Sequence, residues 1–256
     1  MAADTPSSET KPFEGKVALI TGAGSGIGRA VTLRLLDDGA SVFGVDIDAG
    51  ALDEVAATAG ERFTGHVADL SDPAACREAV EACVALHGRL DVLGNIAGIA
   101  ASHHLADVTP EAYRRMMAVN ADAPFFLSQA AVPHLLATHG NIVTLASNAG
   151  LMGQAYTVPY CMSKGAAVQL TRALAMEFVK TDLRVNAIAP AGVDTPLVHS
   201  FVIPDGVDLD LMQPYMGHRG MSQAEELADL FAFLASDRAR SIHGAVLSVD
   251  NGITAG

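Results

Sequence analysis

Short runs of β-branched and apolar residues alternate along the chain with longer segments whose apolar residues recur at helical spacing. VALIT (17–21) is typical of a buried strand, and the segment after it keeps a helical pattern until Gly39 ends it. The alternation predicts further strands at 41–46, near 62–67, within 90–98, and at 141–147, 183–190 and 245–250. It predicts helices at 49–58, from Asp72 to about His87, from Thr109, and at 123–138, 157–180 and 223–235.

Strand–helix alternation over nearly the whole chain predicts an α/β fold. We expect a doubly wound parallel sheet of about seven strands with helices on both faces. No internal repeat or low-complexity linker interrupts the pattern, so we expect one domain over 13–256 after a flexible tail at 1–12. The stretch 193–220 has no clear period and several Pro and Gly residues, which favours a substrate lid over an ordinary connection.

A glycine-rich turn, TGAGSGIG (21–28), joins the first predicted strand to the first predicted helix. Gly22 suits a tight turn, Gly26 permits close approach of a ligand to the backbone, and Gly28 allows the helix to pack on the strand. The N–H groups of such a turn and the helix N-terminus favour a pyrophosphate. The turn therefore predicts a Rossmann-type, dinucleotide-binding domain, with cofactor contacts from Gly22, Ser25, Gly26, Ile27 and Gly28.

Asp46 ends the second predicted strand, 18 residues after Gly28. This is close to the ~20 residues at which an acid binds the adenosine ribose hydroxyls of NAD. A carboxylate there repels a 2′-phosphate, and Ser25 leaves the glycine turn without a basic residue that would accept one. The sequence therefore predicts NAD rather than NADP.

Tyr160 and Lys164 are four residues apart in a predicted helix, so they share one face. A neighbouring ammonium favours the phenolate form of a tyrosine, which lets the pair exchange a proton with an alcohol or ketone near neutral pH. Ser147 follows a predicted strand, 13 residues before Tyr160. A tyrosine and a lysine at this spacing are a common accident on a helix, so the interpretation depends on the accompanying motifs.

Several motifs taken together resemble those of the short-chain dehydrogenase/reductase family over residues 13–256. They are the glycine turn, Asp69-Leu70 at a strand end, NIAG (95–98), Asn120 in AVNA, Ser147, YCMSK (160–164) and APAGVDTP (189–196). The resemblance implies an oxidoreductase that transfers a hydride between NAD(H) and a secondary alcohol or ketone. It also implies a homo-oligomer, with a tetramer as the expected form, that associates through the helices near 123–138 and 157–180 and through the C-terminal segment.

The resemblance also implies a role for each matching position. Tyr160 would be the general acid/base, and Lys164 would lower the pKa of Tyr160 and bind the nicotinamide ribose. Ser147 would hold the substrate oxygen, and Asn120 would hold a water of a proton relay. The remaining cofactor contacts would be Asp69 and Leu70 on the adenine, Asn95, Ala97 and Gly98 along the adenosine side, and Pro190, Val193 and Thr195 near the nicotinamide.

The chain departs from the family pattern at a few positions. Ile96 replaces the second Asn of the usual Asn-Asn-Ala-Gly, which we expect to loosen a structural hydrogen bond. Ala191 stands where Gly is usual and Gly192 follows it, which we expect to shift a backbone turn by one residue. Met162 replaces a residue that is usually small. None of these changes removes a catalytic group.

Other candidate residues have simpler explanations. His103 and His104 are adjacent but lack further ligands at suitable spacing, so no metal site is predicted. Cys161 is expected to point away from the catalytic tyrosine and to pack. Tyr156 lies in the loop before the helix at 157–180 and is within reach of a substrate. The predicted substrate-binding residues are Ser147, Tyr156 and Tyr160.

Composition and charge narrow the class of partner. The 256 residues include 16 Lys and Arg against 29 Asp and Glu, a formal net charge of −13. This acidity disfavours nucleic acid and anionic membranes, which both need a basic face. Three Cys are too few for a disulfide framework, and no signal peptide or membrane-spanning run is recognisable, which predicts a cytoplasmic protein.

The segment from Ala123 to Ser163 contains no Asp, Glu, Lys or Arg over 41 residues. It suits buried core, a subunit interface or a site with little water, and the charge pattern does not choose among these. The stretch 193–220 combines apolar residues with Asp205, Asp208 and Asp210. This combination favours an uncharged, moderately hydrophobic substrate such as a cyclic alcohol, a steroid or a diol.

Two alternative functions remain open. A 3-oxoacyl-[acyl-carrier-protein] reductase has similar motif order, but such enzymes use NADPH and an acidic carrier, against which Asp46 and the net charge speak. A non-catalytic NAD-binding sensor or scaffold is the other alternative. Such a protein has no need of the set formed by Asn120, Ser147, Tyr160 and Lys164.

Overall fold

The computed structural model describes residues 11–255, so most of the predicted tail at 1–12 lies outside the described residues. The strands are β1 (Val17–Thr21), β2 (Ser41–Asp46), β3 (Phe63–Val67), β4 (Val92–Asn95), β5 (Asn141–Leu145), β6 (Arg184–Pro190) and β7 (Val246–Val249). The helices are α1 (Gly26–Asp37), α2 (Ala49–Ala59), α3 (Pro73–His87), α4 (Pro110–Met117), α5 (Ala123–Thr138), α6 (Val158–Glu177), α7 (Pro196–His199), α8 (Gln213–Met216) and α9 (Ala224–Ala235). Among residues 11–255, no helix has both the length and the apolar character needed to cross a bilayer.

The seven strands form one parallel sheet in the order β3-β2-β1-β4-β5-β6-β7. The order reverses between β1 and β4, because β2 and β3 extend the sheet on one side and β4 to β7 extend it on the other. The predicted α/β, doubly wound sheet is therefore confirmed. At such a reversal the loops that follow adjacent strands diverge and leave a crevice at their carboxyl ends.

Both faces of the sheet are covered. Successive residues of a strand point to opposite faces, and Leu19 and Ile20 in β1 are both fully buried. The core on the Ile20 side contains Leu35 and Phe231, where α1 packs against α9. The core on the Leu19 side lies under α3 and α5, which pack against each other. Burial on both faces explains why the strands are continuous apolar runs in the sequence.

Two helices begin at the residue pairs that the sequence predicts. Asp72 caps α3 by accepting a hydrogen bond from the Ala74 N–H at 2.8 Å, with Pro73 in the first turn. Thr109 caps α4 in the same way, from the Ala112 N–H at 3.2 Å. Each cap satisfies an N–H group that has no partner within its own helix, and the proline removes another.

A π-helical turn over Ala118–Asp122 joins α4 to α5, and the sequence pattern gave no sign of it. A π turn accommodates an extra residue within a helix and changes the direction in which its side chains point. Asn120 lies in this turn and is almost completely buried. The turn thus brings an amide into the interior from a segment that otherwise continues as helix.

The stretch 193–220 contains more regular structure than its sequence pattern indicates. It includes α7 and α8, each with a Pro in its first turn, and a 3₁₀ turn at Leu209–Leu211 between them. Helices of a single turn are too short to show the repeat on which a helical prediction depends. This explains why the segment has no recognisable period.

Arg184, at the start of β6, binds the C-terminal end of α9 through hydrogen bonds. Its guanidinium donates to the carbonyl oxygens of Leu234 at 2.7 Å and Ser236 at 3.1 Å, with longer bonds to Ala235 and Ala239. The last carbonyl groups of a helix have no partner within the helix, so a fork of N–H donors is a suitable cap.

Replacing Arg184 by Met should lower the free energy of unfolding by about 2–4 kcal/mol, because several charge-assisted hydrogen bonds are lost together. Urea denaturation measures the change. Arg77→Met is the matched control, since Arg77 is exposed on α3. It should alter the free energy of unfolding by no more than about 0.5 kcal/mol. Equal midpoints for the two variants would show that the cap at the end of α9 does not stabilise the fold.

Candidate active site

The loops that carry the sequence-predicted site residues meet at the carboxyl ends of β1, β4, β5 and β6. A cavity of about 390 Å³ opens there, at the reversal of strand order. This is the position at which doubly wound sheets bind their ligands. The predicted residues that line the cavity are Ile27, Gly98, Ser147, Tyr160, Lys164, Pro190, Val193 and Thr195.

The glycine turn between β1 and α1 has the geometry that its residues predict. Gly22 and Gly26 have positive φ angles of 68° and 50°. A Cβ atom on Gly28 would lie only 1.9 Å from the carbonyl oxygen of Gly22, so no larger residue fits there. Ser25 is the N-cap of α1 but makes no side-chain capping bond. The first N–H groups of α1 therefore remain available to an anion.

Asp46 lies at the outer side of this turn. Its Oδ2 accepts a hydrogen bond from the Gly24 N–H at 2.9 Å, and its Oδ1 accepts one from the Asp48 N–H at 3.1 Å. The carboxylate is thus fixed to the turn at the end of β2. A groove runs from it past Asp69 and Leu70 to the loop after β4, where Ala97 and Gly98 line it.

Arg115, on α4, contributes a basic group to the same groove, and sequence reasoning missed it. Its Nη1 contacts both carboxylate oxygens of Asp69, at 3.0 and 2.9 Å, and the hydroxyl of Ser71. The guanidinium holds the pKa of Asp69 below its ordinary value. No sequence signal pairs the two residues, because they are 46 positions apart and the sequence predicts no contact between their elements.

Asn95 lies at the end of β4 and is buried beneath the groove. Its Nδ2 donates to Ser128 Oγ at 3.3 Å and to Thr144 Oγ1 at 3.4 Å, so the amide joins β4 to α5 and β5. Asn95 therefore supports the loop that follows it, in which Ala97 and Gly98 line the groove. A direct contact between Asn95 and a cofactor stays a prediction.

Tyr160 and Lys164 are one turn apart on α6 and face the cavity together. Lys164 Nζ lies 5.9 Å from the centroid of the Tyr160 ring and donates to the carbonyl oxygen of Leu145 at 2.8 Å. The lysine is 5% exposed. Its ammonium is therefore held inside the protein, between the end of β5 and the tyrosine.

Ser147 follows β5 and faces the same cavity. Its hydroxyl is buried and lies 3.2 Å from Asn148 Oδ1 and 3.4 Å from the carbonyl oxygen of Pro190. It also accepts a hydrogen bond from the Ala149 N–H at 3.1 Å. The loop after β5 and the end of β6 thus fix the hydroxyl opposite Tyr160.

Asn120 reaches the site from the π-helical turn. Its Oδ1 accepts from the Ile99 N–H at 2.9 Å, and its Nδ2 donates to the Ile99 carbonyl at 2.8 Å and to Ser163 Oγ at 3.1 Å. A Cβ atom on Gly98 would lie 3.2 Å from Asn120 Oδ1 and 3.4 Å from Lys164 Nζ. Gly98 therefore leaves the space through which the amide and the ammonium approach each other.

Burial opposes ionisation of both titratable groups at the site. It raises the pKa of Tyr160 above its ordinary value, and the Ser147 hydroxyl acts in the opposite direction. Burial lowers the pKa of Lys164 to about 8. The expected lowering of the Tyr160 pKa by Lys164 is thus opposed by the poor solvation of a phenolate in this cavity.

The segment after β6 closes the other end of the cavity. Val193 is buried and forms an isolated parallel bridge with Ser222, and Thr195 Oγ1 donates to the Val193 carbonyl at 3.1 Å. A Cβ atom on Gly26 would lie 3.2 Å from Thr195 Cγ2, so this segment passes directly over the glycine turn. The predicted pyrophosphate and nicotinamide contacts are therefore contiguous.

The rest of the cavity wall is mostly apolar. The lining residues that sequence reasoning did not single out include Ile99, Leu145, Asn148, Gln154, Leu197, Val198 and Phe201. The three acids of the 193–220 stretch, at 205, 208 and 210, are exposed on its outer surface. The apolar residues expected to favour a hydrophobic substrate are thus found in the cavity wall, whereas the three acids lie outside the cavity.

Tyr156 adopts a positive φ of 64° and contacts the 193–220 stretch. Its hydroxyl accepts a hydrogen bond from the Asp208 N–H at 2.8 Å. The ring of His104 packs edge-on against Tyr156, and its Nε2 lies 2.8 Å from the carbonyl oxygen of Asp205. These contacts hold the stretch over the cavity, and they give His104 a place in the fold that the sequence left open. Binding of substrate by Tyr156 itself stays a prediction.

Cys161 lies 3.5 Å from Thr157 Oγ1, away from the cavity lining, and is unpaired, as are Cys76 and Cys83. Within residues 11–255, His, Cys, Asp and Glu side chains form no group of three or more that is arranged to hold a metal ion.

Comparison with known proteins agrees with the fold and shows the family. Residues 22–254 match a family model described as enoyl-(acyl carrier protein) reductase. The chain is 37% identical to meso-2,3-butanediol dehydrogenase of Serratia marcescens, over 95% of this chain and 96% of that protein. It is 35% identical to 3-oxoacyl-[acyl-carrier-protein] reductase of Thermotoga maritima, over 94% of this chain and 98% of that protein.

Solved structures give the same result for the fold. The crystal structure of 3-ketoacyl-(acyl-carrier-protein) reductase from Brucella melitensis, complexed with NADH, superposes with a TM-score of 0.85 at 33% identity. The match covers 94% of this chain and 99% of that one. The family resemblance read from the motifs is thereby confirmed.

Proposed function

Since this chain belongs to the short-chain dehydrogenase/reductase family, we propose that it is an NAD-dependent oxidoreductase that interconverts a secondary alcohol and a ketone. One observation carries the proposal. The hydroxyl of Ser147, the phenol of Tyr160 and the ammonium of Lys164 converge on one cavity that continues into the glycine turn. Asn120 lies directly behind them, against Gly98.

The protein groups would act by positioning and proton transfer. Ser147 Oγ would hold the oxygen of the substrate, and Tyr160 Oη would take the hydroxyl proton of an alcohol or return it to a ketone oxygen. Lys164 Nζ would stabilise the phenolate that forms, in a site where few other charges screen it. Asn120 would hold a water that connects this lysine to solvent. When bound, the nicotinamide would supply the hydride acceptor or donor.

The residues present fit a nicotinamide dinucleotide. Glycine backbone at positions 22 and 26 leaves room for close approach of a pyrophosphate, and the first N–H groups of α1 are free to bind it. Asp46 would bind the adenosine ribose, and its charge disfavours a 2′-phosphate. Val193 and Thr195 would contact the nicotinamide end. These features support NAD over NADP.

The substrate is proposed to be uncharged and moderately hydrophobic, of the cyclic alcohol, steroid or diol type. The apolar walls formed by Ile99, Leu145, Val198 and Phe201 support this, because a carboxylate would lose its hydration there without gaining a cationic partner. The likeness to meso-2,3-butanediol dehydrogenase supports the diol within this range.

A 3-oxoacyl-[acyl-carrier-protein] reductase is the second candidate, and two of the similar proteins carry such a name. Because one of them is complexed with NADH, cofactor preference alone does not separate the candidates. Substrate does: a screen of secondary alcohols, ketones and 3-oxoacyl thioesters with NAD(H) and NADP(H), followed at the absorbance of the reduced nicotinamide, tests both. Turnover of thioesters alone would overturn the alcohol assignment. Absence of turnover with every substrate would favour a sensor or scaffold.

We propose that the protein is a homo-oligomer in the cytoplasm. Apolar side chains are exposed along α5 and α6, and they support a homo-oligomer, of which a tetramer is the expected form. These side chains are Phe125, Val158, Met162 and Met176. The three unpaired cysteines support a reducing compartment and hence the cytoplasm.

Replacing Tyr160 by Phe should lower kcat by about 10²–10⁴-fold, because the proton donor and acceptor is removed. Binding of NADH, measured by its fluorescence, should change little. Tyr113→Phe on α4 is the matched control and should retain full activity. A Tyr160→Phe enzyme with full activity would refute the proposed mechanism.

Replacing Asp46 by Ala should strengthen binding of NADPH relative to NADH by at least about tenfold, because a negative charge beside the 2′-phosphate is removed. Calorimetric titration of both cofactors measures the ratio. Asp53→Ala removes an exposed carboxylate from neighbouring α2 and should leave the ratio unchanged. An unchanged ratio in the Asp46→Ala variant would mean that another residue determines the preference between NADH and NADPH.

The two directions of the reaction should respond differently to pH. Oxidation needs the phenolate of Tyr160, and burial raises the pKa of this group, so kcat/KM for the alcohol should rise from about pH 7 to about pH 9. Reduction needs the phenol, which stays protonated over this range because its pKa is raised, so kcat/KM for the ketone should stay level. Parallel profiles in the two directions would argue against Tyr160 as the titrating group.

A further inference from the structure

The wall of the cavity beside Ser147 carries a polar group that the proposed reaction does not use. It is the side-chain amide of Gln154, in the loop between β5 and α6. Gln154 is half-buried and lines the same cavity as Ser147 and Tyr160, among mainly apolar neighbours. A polar group in an apolar pocket fixes the orientation of a ligand that offers it a partner.

Hydrogen bonds fix the orientation of this amide. Gln154 Nε2 donates to Asn148 Oδ1 at 3.0 Å, and the same oxygen lies 3.2 Å from Ser147 Oγ. Asn148 is 4% exposed. One N–H of the Gln154 amide is therefore occupied, and Gln154 Oε1 receives no hydrogen bond from any residue in the range 11–255. The amide thus presents a free acceptor oxygen to the cavity.

The loop around Gln154 is held on both sides. Thr157, which is buried, donates through Oγ1 to the Gln154 carbonyl at 3.1 Å. Tyr215, from α8, donates to the carbonyl of the adjacent Ala155 at 2.8 Å. A side chain that is fixed by its own hydrogen bond and carried on a fixed loop discriminates between ligands, because it cannot move to avoid an unsuitable group.

The distance between the two polar groups defines where the partner must be. Ser147 Oγ and Gln154 Nε2 both lie within a hydrogen-bond length of Asn148 Oδ1, so they are separated by no more than two such lengths. A group close to a substrate oxygen that is held by Ser147 is thus within reach of the Gln154 amide. We propose that Gln154 Oε1 accepts a hydrogen bond from a second hydroxyl, on the carbon next to the reacting one.

This inference rests on the proposed function and narrows its substrate to a vicinal diol, with an α-hydroxy ketone as the partner in the reverse direction. The second hydroxyl keeps its proton in both directions, so one acceptor serves both. A carboxylate, a thioester or a second ketone offers only acceptor oxygens and would leave Gln154 Oε1 without a hydrogen-bond donor. Monoalcohols would leave the acceptor without a partner, which costs binding energy in an apolar pocket.

Three alcohols with one carbon skeleton test the proposal: the stereoisomers of 2,3-butanediol, 2-butanol, and 3-methoxy-2-butanol, whose second oxygen has no proton. The measurement is kcat/KM with NAD for the wild type and for Gln154→Met, Gln154→Glu and Gln169→Met. Gln169→Met makes the same change at an exposed position on α6 and is the matched control. Binding of NADH verifies that each variant is folded.

We expect the wild type to prefer a stereoisomer of the diol over both other alcohols by at least about tenfold. Gln154→Met should reduce this ratio by about tenfold. Gln154→Glu retains acceptor oxygens, and the Asn148 Nδ2, which is buried without a partner, is able to turn and donate to them, so this variant should keep the preference. The control should keep the wild-type ratio.

Three results would overturn the inference while leaving the proposed function intact. They are an equal ratio in wild type and Gln154→Met, equal use of the diol and the methoxy alcohol by the wild type, and loss of the preference in Gln154→Glu. A wild-type enzyme that oxidises none of the alcohols would instead overturn the proposed function, and the inference with it.

Discussion

The hydroxyl of Thr21 joins the two strands on either side of the point where the strand order reverses. It donates to the Gly94 carbonyl at 3.2 Å and accepts from the N–H groups of Ile96 and Ala97 at 2.9 and 3.0 Å. A Cβ atom on Gly22 would lie 3.1 Å from the Ala97 Cα, so the two loops touch at backbone level. The floor of the cavity is built on this contact. Ile96, where the family usually has Asn, keeps this contact because its backbone N–H makes the bond to Thr21.

A second constraint is the shortage of charge around Lys164. The uncharged segment from Ala123 to Ser163 supplies α5, β5 and the start of α6, so it forms the wall through which this ammonium passes. Water and other charges that would stabilise an ion are few there, which is why burial lowers the pKa of the lysine and raises that of Tyr160. Of the alternatives that the charge pattern left open, buried core holds for part of the segment, since Ala123, Leu127, Ala131, Leu135 and Ile142 are buried.

The two ends of the cavity differ in how they are built. The end at the glycine turn is made by backbone atoms of a rigid sheet and by Asp46, which is fixed to the Gly24 N–H. The other end is made by side chains on two loops that hold each other, through Tyr156 to the Asp208 N–H and Tyr215 to the Ala155 carbonyl. Changes in those loops alter the choice of substrate without disturbing the sheet, which is the usual division of roles in this fold.

The sequence by itself determined the seven strands, the longer helices and their order, because each strand, cap and glycine turn depends on neighbours within a few residues. It also placed Ser147, Tyr160 and Lys164 together, since helical spacing puts the last two on one face and the first at a strand end. What only the tertiary structure decided are contacts between distant segments: Arg115 with Asp69, His104 with the 193–220 stretch, and the amide of Gln154 in the cavity wall. The direction of the Tyr160 pKa was also decided there, because the solvation that sets it depends on everything packed around the phenol.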